Sequence, residues 1–194
     1  DFEDYRCWLG AQGVDTSLVK VIPGKFTASF FANTDLSNAQ IASFYTGAMA
    51  HASELSLLNL ENRRLDLVVI SPNDPKAMDQ YVQECSALKI PFLYDPSQQI
   101  VRLAPEELRR GVENAQCVFV NEYELELLQK HTGISLGEML KKVEYMVVTL
   151  GEDGAVIYAE GQEYRVKAVK PGHIQDPTGV GDAFRGGFLS GKRL

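Results

Sequence analysis

The sequence predicts an α/β fold: a mainly parallel sheet flanked by helices, with an antiparallel meander at one edge and a separate small β-ribbon. Three observations predict it. Between residues 66 and 132, short apolar runs alternate with segments of helical spacing, which is the rhythm of βαβ units. After Tyr145, three strand-like runs follow one another too closely for crossover helices, so they should pair antiparallel. Before residue 50, strand-like runs follow with no helix between them, which suits a layer of their own.

In chain order, Val19–Ile22, Phe26–Asn33 and Ala39–Tyr45 read as strands, with a turn over residues 34–38. Phe26, Phe30 and Phe31 on the second run suit either core packing or stacking on a flat ligand. Residues 50–60 read as helical. The apolar run of residues 66–71 has the continuous hydrophobicity of a buried parallel strand. Asn73-Asp74-Pro75 then supplies a cap and a first-turn proline. Met78, Tyr81, Val82, Cys85 and Leu88 keep the helical spacing that should follow. Residues 90–94 form the next strand and end at Asp95. A helix near 105–114 and a strand over 117–120 follow, and Asn121 caps the helix carrying Glu124, Leu125 and Leu128. Met146–Leu150, Ala155–Ala159 and Glu163–Val169 make the meander, joined by Gly151-Glu152-Asp153-Gly154 and by a turn around Glu160-Gly161. Finally Val180, Ala183, Phe184, Gly187 and Phe188 recur at i, i+3, i+4, i+7 and i+8, so a helix should start near Val180.

Composition narrows the function classes. At 194 residues the chain can bury a full single-domain core. Nineteen Lys and Arg against 26 Asp and Glu leave a formal charge of −7, which argues against nucleic acid or an anionic membrane as partner. No apolar run approaches the roughly 20 residues of a membrane span, and no signal-peptide pattern is present, so a cytoplasmic location is expected. Cys7, Cys85 and Cys117 are odd in number, widely spaced and in apolar contexts, which fits reduced, buried thiols. His51, His131 and His173 have no metal-ligand spacing. The chain has no nucleophile elbow, no GxxxxGK[ST] loop and no dinucleotide fingerprint.

The chemistry concentrates in Asp176-Pro177-Thr178-Gly179-Val180-Gly181-Asp182-Ala183-Phe184-Arg185. Gly179 and Gly181 fall in the first turn of the expected helix, where N–H groups lack partners and the dipole is positive. Such a terminus favours anions, phosphate above all. Asp182 is itself negative, so beside a phosphate it is better suited to take a proton from a hydroxyl attacking that phosphate. A capped, buried helix with glycines for close packing is the alternative. Asn121-Glu122-Tyr123-Glu124 lies at a strand-to-helix junction, where open α/β sheets hold ligands, or serves only as an N-cap with first-turn acids. Thr149, Gly151 and Gly154 end a strand and shape its turn, as a ligand loop or as a plain hairpin. Asp95, before Pro96, suits a phosphate-supporting role or a turn. Arg185 suits either a phosphate or an acidic partner.

Residues 176–184 resemble the D-[TP]-[TN]-G-A-G-D-A-F signature of the ribokinase-like (PfkB-type) carbohydrate and nucleoside kinases, with Pro177 for the usual Thr and Val180 for the usual Ala. The resemblance implies a ribokinase-like fold and Asp182 as catalytic base, with Gly179, Val180 and Gly181 as an anion hole. It implies a monovalent cation such as K+ at Asp176 and the Thr178 carbonyl. Asn121 to Glu124 matches the family's N-x-x-E motif, implying ATP contacts from Asn121 and Mg2+ held by Glu124 through water. Thr149, Gly151, Gly154 and Thr178 would meet ATP. Residues 18–49 resemble the β-sheet lid over the acceptor, leaving 1–17 and 50–194 as the α/β domain, and a homodimer through the lid is implied. Phe26-Thr27-Ala28-Ser29-Phe30-Phe31 and Tyr45-Thr46-Gly47-Ala48-Met49 are most similar to the adenosine and nucleoside kinase branch. That implies an acceptor site with Phe26, Phe31, Met49 and Asp95. The expectation is an ATP-dependent kinase of a nucleoside; a sugar or sugar-phosphate kinase and a catalytically incomplete nucleotide-binding module are the alternatives. Against the family, the chain reads as a fragment lacking N-terminal strands and final helices.

Overall fold

The computed structural model describes residues 2–34, 40–60, 64–170, 172 and 179–193. It divides into two compact units, Asp1–Leu55 and Ser56–Leu194. Among the described residues no helix is long and apolar enough to cross a membrane.

The first unit opens with helix α1 (Glu3–Ala11), which buries no residue. Tyr5 and Trp8 stack along it with ring centroids 5.7 Å apart. Cys7 is therefore exposed, and only Cys85 and Cys117 are the buried thiols expected. Strands β1 (Ser29–Thr34) and β2 (Gln40–Tyr45) pair antiparallel from Ser29↔Tyr45 to Thr34↔Gln40. Val19–Ile22 is not a strand. Turns at both ends take its backbone groups, Val19 donating to the Thr16 carbonyl and Lys25 to that of Ile22. Nor does Phe26 join β1, because its carbonyl accepts the Ala48 N–H at 2.9 Å. Gly47 makes that approach possible: its φ is +49°, and a Cβ would lie 2.2 Å from the Phe26 oxygen. Phe26, Phe30 and Phe31 remain exposed, at 66%, 60% and 60%, so the core reading of these rings fails. A two-stranded ribbon is too narrow to bury aromatics on either face by itself.

Where residues 50–60 read as one helix, the chain makes two 3-10 segments, Gly47–Glu54 and Leu57–Asn59. Leu55 is extended between them. The break has a cause in the second unit. The buried Glu84 accepts from the Ser56 hydroxyl and the Leu57 N–H, both at 2.7 Å, and Ser56 caps the new turn.

The second unit carries a six-stranded sheet ordered β3 (Val68–Ile70), β4 (Phe92–Tyr94), β5 (Cys117–Asn121), β6 (Tyr145–Thr149), β7 (Ala155–Ala159) and β8 (Gln162–Val166). The first four are parallel and the last two antiparallel, as expected. Strand β8 stops three residues short of the predicted Val169. Ala155↔Val166 is its last rung, because β7 begins only at Ala155, after the turn. Helices α2 (Pro75–Leu88), α3 (Pro105–Asn114), α4 (Glu122–Thr132), α5 (Leu136–Met139) and α6 (Val180–Arg193) complete the unit. Asp74 caps α2 through Ala77 N–H, and Pro75 and Pro105 open their helices. Helices α1 and α5 were not expected from the sequence. The latter carries a legible capping box, with Ser135 and Glu138 exchanging hydrogen bonds.

Period-two alternation sends successive strand residues to opposite faces. Phe92, Tyr94, Val118, Val120, Met146 and Val148 join Met78, Val82, Leu108, Val112 and Leu128 in one core. Leu93, Cys117, Phe119 and Val147 form a second core against Phe184, Phe188 and Leu189 of α6. Helices thus cover both faces. On the first face, α3 lies close over Tyr94: a Cβ on Gly111 would sit 2.4 Å from the ring. Gly111→Ala should therefore destabilise the protein by about 1–3 kcal/mol through overpacking, against the roughly 1 kcal/mol that alanine normally gains in a helix. Urea unfolding of the two proteins checks this, and a more stable variant would contradict it.

Candidate active site

Because β3, β4, β5 and β6 run parallel, their C-terminal ends lie along one edge, the side where open α/β sheets hold ligands. Ser71 follows β3, Asp95 follows β4, Asn121 ends β5 and Thr149 ends β6. Asn121 and Thr149 are register partners, and Asp95 N–H bonds to the Ile70 carbonyl at 2.9 Å. These residues and Gly179, Val180, Gly181 and Asp182 line a cleft of about 540 Å³, with Glu124, Ser97, Gln98, Pro72, Phe119 and Val120. The predicted Asp95, Asn121, Glu124, Thr149 and 179–182 are thus brought together, though far apart in sequence.

Other predicted residues fall elsewhere. Gly151 and Gly154 are not among the residues lining this cleft. Gly154 has φ +100°, and a Cβ there would lie 2.0 Å from the Val166 carbonyl oxygen, so its missing side chain makes room for β8. Asp176, Thr178 and His173 lie outside the described residues. Phe26, Phe31 and Met49 belong to the first unit, and His51 pairs there with Glu54 at 2.7 Å.

At the head of α4 the N-cap reading of the Asn121 segment holds, and the segment also lines the cleft. Asn121 Oδ1 accepts the Glu124 N–H, and Glu124 Oε2 accepts the Asn121 N–H, each at 2.8 Å. Ser97, whose φ of +41° is unusual for a residue with a side chain, shares its hydroxyl between Gln98 Oε1 at 2.8 Å and Glu124 Oε1 at 3.1 Å. The carboxylate is thereby fixed in the cleft with a single hydrogen bond from protein on each oxygen. Each keeps lone-pair capacity, enough to accept from water bound to a cation. Among the described residues, no three His, Cys, Asp or Glu are grouped to hold a metal directly. This donor set fits a hydrated divalent ion such as Mg2+, which keeps much of its water.

At the other side of the cleft, among the described residues the N–H of Ala183 makes the first bond of α6, to the Gly179 carbonyl at 2.9 Å. The N–H groups just before it therefore have no partner within the helix. Gly179 turns the chain into the helix with φ +78°. Asp182 stands in that first turn and is 74% exposed. Arg185 lies one turn further on, its guanidinium bonded to Asp182 Oδ1 at 2.5 Å and to Asp95 Oδ2. Arg185 is thus paired with acids, the second of the two roles its sequence position allowed. Burial pushes the Asp95 carboxyl up to about 6; Arg185 opposes the shift, and Glu124 and Asp182 add to it by repulsion. The cleft is therefore a carboxylate-lined site with a positively polarised helix end. That combination accepts a polyanion only together with a cation.

Ser71, Ser97, Gln98 and Phe119 were missed in the sequence. For Ser71 a signal existed, since it is the residue just beyond an apolar parallel strand, like Asp95, Asn121 and Thr149. Ser97 and Gln98 carry no such signal, and Phe119 reads as core.

Residues 1–192 match the family model described as pfkB family carbohydrate kinase. The chain is 31% identical over 192 residues to a nucleoside kinase of Methanocaldococcus jannaschii, covering 98% of this chain and 62% of that protein. It superposes on the Burkholderia thailandensis nucleoside kinase in complex with inosine with a TM-score of 0.90 and 33% identity, over 100% of this chain and 62% of that one. It is also 26% identical to a cytidine kinase of Thermococcus kodakarensis, covering 95% of this chain and 68% of that protein. The chain thus spans about 62% of the length of the first two of these relatives.

The position of Asp95 has a measurable consequence. Its folded value of about 6 lies above the ordinary 3.8, so between those two values the fold binds a proton that the unfolded chain has released. Stability from this group therefore falls as pH rises through that window. From pH 7 to pH 5, wild type should gain about 1 kcal/mol relative to Asp95→Asn in urea unfolding. No relative gain, or a loss, would mean that the Arg185 pair outweighs burial.

Proposed function

The chain belongs to the pfkB family of carbohydrate kinases, and from this we propose that the whole protein transfers the γ-phosphate of ATP to a primary hydroxyl of a nucleoside. One observation carries the reading. A carboxylate, Asp182, stands in the first turn of a helix, the end that favours phosphate, in the same cleft as Asn121, Glu124 and Thr149.

In this reading Asn121 and Thr149 hold the ATP phosphates, with Thr149 also beside the ribose. The N–H groups of Gly179, Val180 and Gly181 receive the transferred group, whose charge spreads over its oxygens as it moves. Asp182 takes the proton from the acceptor hydroxyl as it attacks in line. Glu124 and Asn121 hold Mg2+ through its water, and the ion supplies charge neutralisation when bound. Asp176 and the Thr178 carbonyl are proposed for a monovalent cation, and Gly151, Gly154 and Thr178 for further ATP contacts, as the family resemblance implies.

The nucleoside acceptor is supported by the relatives named as nucleoside and cytidine kinases and by the relative held in complex with inosine. Phe26, Phe31 and Met49 are proposed to meet the acceptor base, which apolar and aromatic side chains suit. A homodimer through the β1–β2 ribbon is proposed on the face that carries the exposed, paired Phe30 and Phe44, since open strand edges and apolar faces call for cover.

In the full-length protein, Asp182→Asn should lower turnover by about 10²–10⁴-fold, the range of a general base, with ATP affinity by calorimetry kept. An unchanged rate removes Asp182 from the mechanism. With ATP and Mg2+, a panel of nucleosides should be phosphorylated in preference to ribose, fructose and sugar phosphates. Strong turnover of the sugars with none of any nucleoside would sink the acceptor assignment.

A further inference from the structure

We propose that Arg185 is a positioning residue that presents Asp182 to the acceptor, and that the half-buried carboxylate of Asp95 holds Arg185 in place for that task. This rests on the kinase reading above. The three side chains form a chain of contacts along the cleft, from the less exposed Asp95 to the exposed Asp182. Asp95 is 16% exposed, Arg185 11% and Asp182 74%. The guanidinium donates from one terminal nitrogen, Nη1, to Asp95 Oδ2 and from the other, Nη2, to Asp182 Oδ1. That is the planar, two-pronged geometry only an arginine offers.

Each link has a separate physical consequence. Left alone, a carboxylate as exposed as Asp182 samples several rotamers. Tied through Oδ1, it keeps one orientation and offers Oδ2 as the acceptor for a proton. Charge makes the arrangement self-consistent as well. Glu124 and Asp182 both repel Asp95 at this edge, and Arg185 is bonded to Asp95 and Asp182. An arginine bridging two acids has little net charge left for a phosphate. Its effect should therefore fall on the rate of the step, not on nucleotide binding. Asp95 comes from the end of β4, 90 residues away in sequence. Its partial burial stops the arginine from following its partner into solvent, because leaving would strand a carboxylate.

The test uses the full-length protein with ATP, Mg2+ and its best nucleoside. Arg185→Met should lower kcat by about 10–100-fold, the cost of a misplaced reacting group, with KM for ATP kept within about twofold. Arg185→Lys keeps the charge without the fork and should lose less, about 3–10-fold. Because Asp95 acts through Arg185, Asp95→Asn combined with Arg185→Met should be no slower than Arg185→Met alone. Independent roles would multiply the losses. Wild-type rates in Arg185→Met, multiplying losses, or a raised ATP KM with kcat unchanged would each overturn the proposal. Thermal melts at pH 8 need no turnover: Arg185→Met should lower Tm, and adding Asp95→Asn should restore most of it by removing the stranded charge. A double variant melting below Arg185→Met would refute the Asp95–Arg185 link. A wild type that phosphorylates neither nucleosides nor sugars refutes the kinase reading, and the melts still judge that link by themselves.

Discussion

The cleft depends on where helix α6 begins. Its apolar stripe, Phe184, Phe188 and Leu189, packs on the second face of the sheet against Leu93, Cys117, Phe119 and Val147. Phe188 meets Phe119 edge-on at 5.2 Å and Tyr145 at 6.2 Å. Rings fitted at those angles fix the rotation and the rise of the helix together. With the stripe seated, the first turn has one place to be, at the carboxyl ends of the parallel strands. A shift by one residue would turn Asp182 by about 100° around the axis and away from the cleft. Hydrophobic packing on one side of the sheet thus sets the chemistry at its edge.

What then gathers at that edge is an excess of negative charge. Glu124 and Asp182 both stand close enough to act on Asp95, in a protein already at −7. The compensation is distributed between the head of α6, the guanidinium of Arg185 and, in the proposed function, a hydrated divalent ion. Such a site is poor at holding a bare anion and suited to a nucleotide that brings its own metal. Glu124 shows how local structure and chemistry share residues. Its hydrogen bonds with Asn121 stabilise the start of α4, typically by about 1 kcal/mol, and the same bonds fix its carboxylate for the cleft.

The sheet and its flanking helices were legible because their signals agree. Pro75 and Pro105 start helices where spacing also starts them, and apolar runs mark each parallel strand. Four of the cleft's contributing segments were legible for the same reason, since each lies just past such a run or at a helix head. The first 55 residues were harder. Alternating aromatics in β1 normally imply a buried face, yet burial needs an opposing layer, and a two-stranded ribbon does not contain one. The helix expected at 50–60 fails through Glu84, whose pull on Ser56 and Leu57 is a tertiary contact that local propensity does not carry. Arg185 is a similar case. Its spacing from Asp182 is visible at i+3, whereas Asp95 joins only when the sheet brings β4 beneath α6.

The most direct measurement is a crystal structure of the full-length protein with a nucleoside and a non-hydrolysable ATP analogue in the presence of Mg2+. The γ-phosphate should lie against the N–H groups of residues 179–181, with the nucleoside's primary hydroxyl within hydrogen-bond reach of Asp182. A nucleotide bound away from the head of α6, or an acceptor hydroxyl out of reach of Asp182, would contradict it.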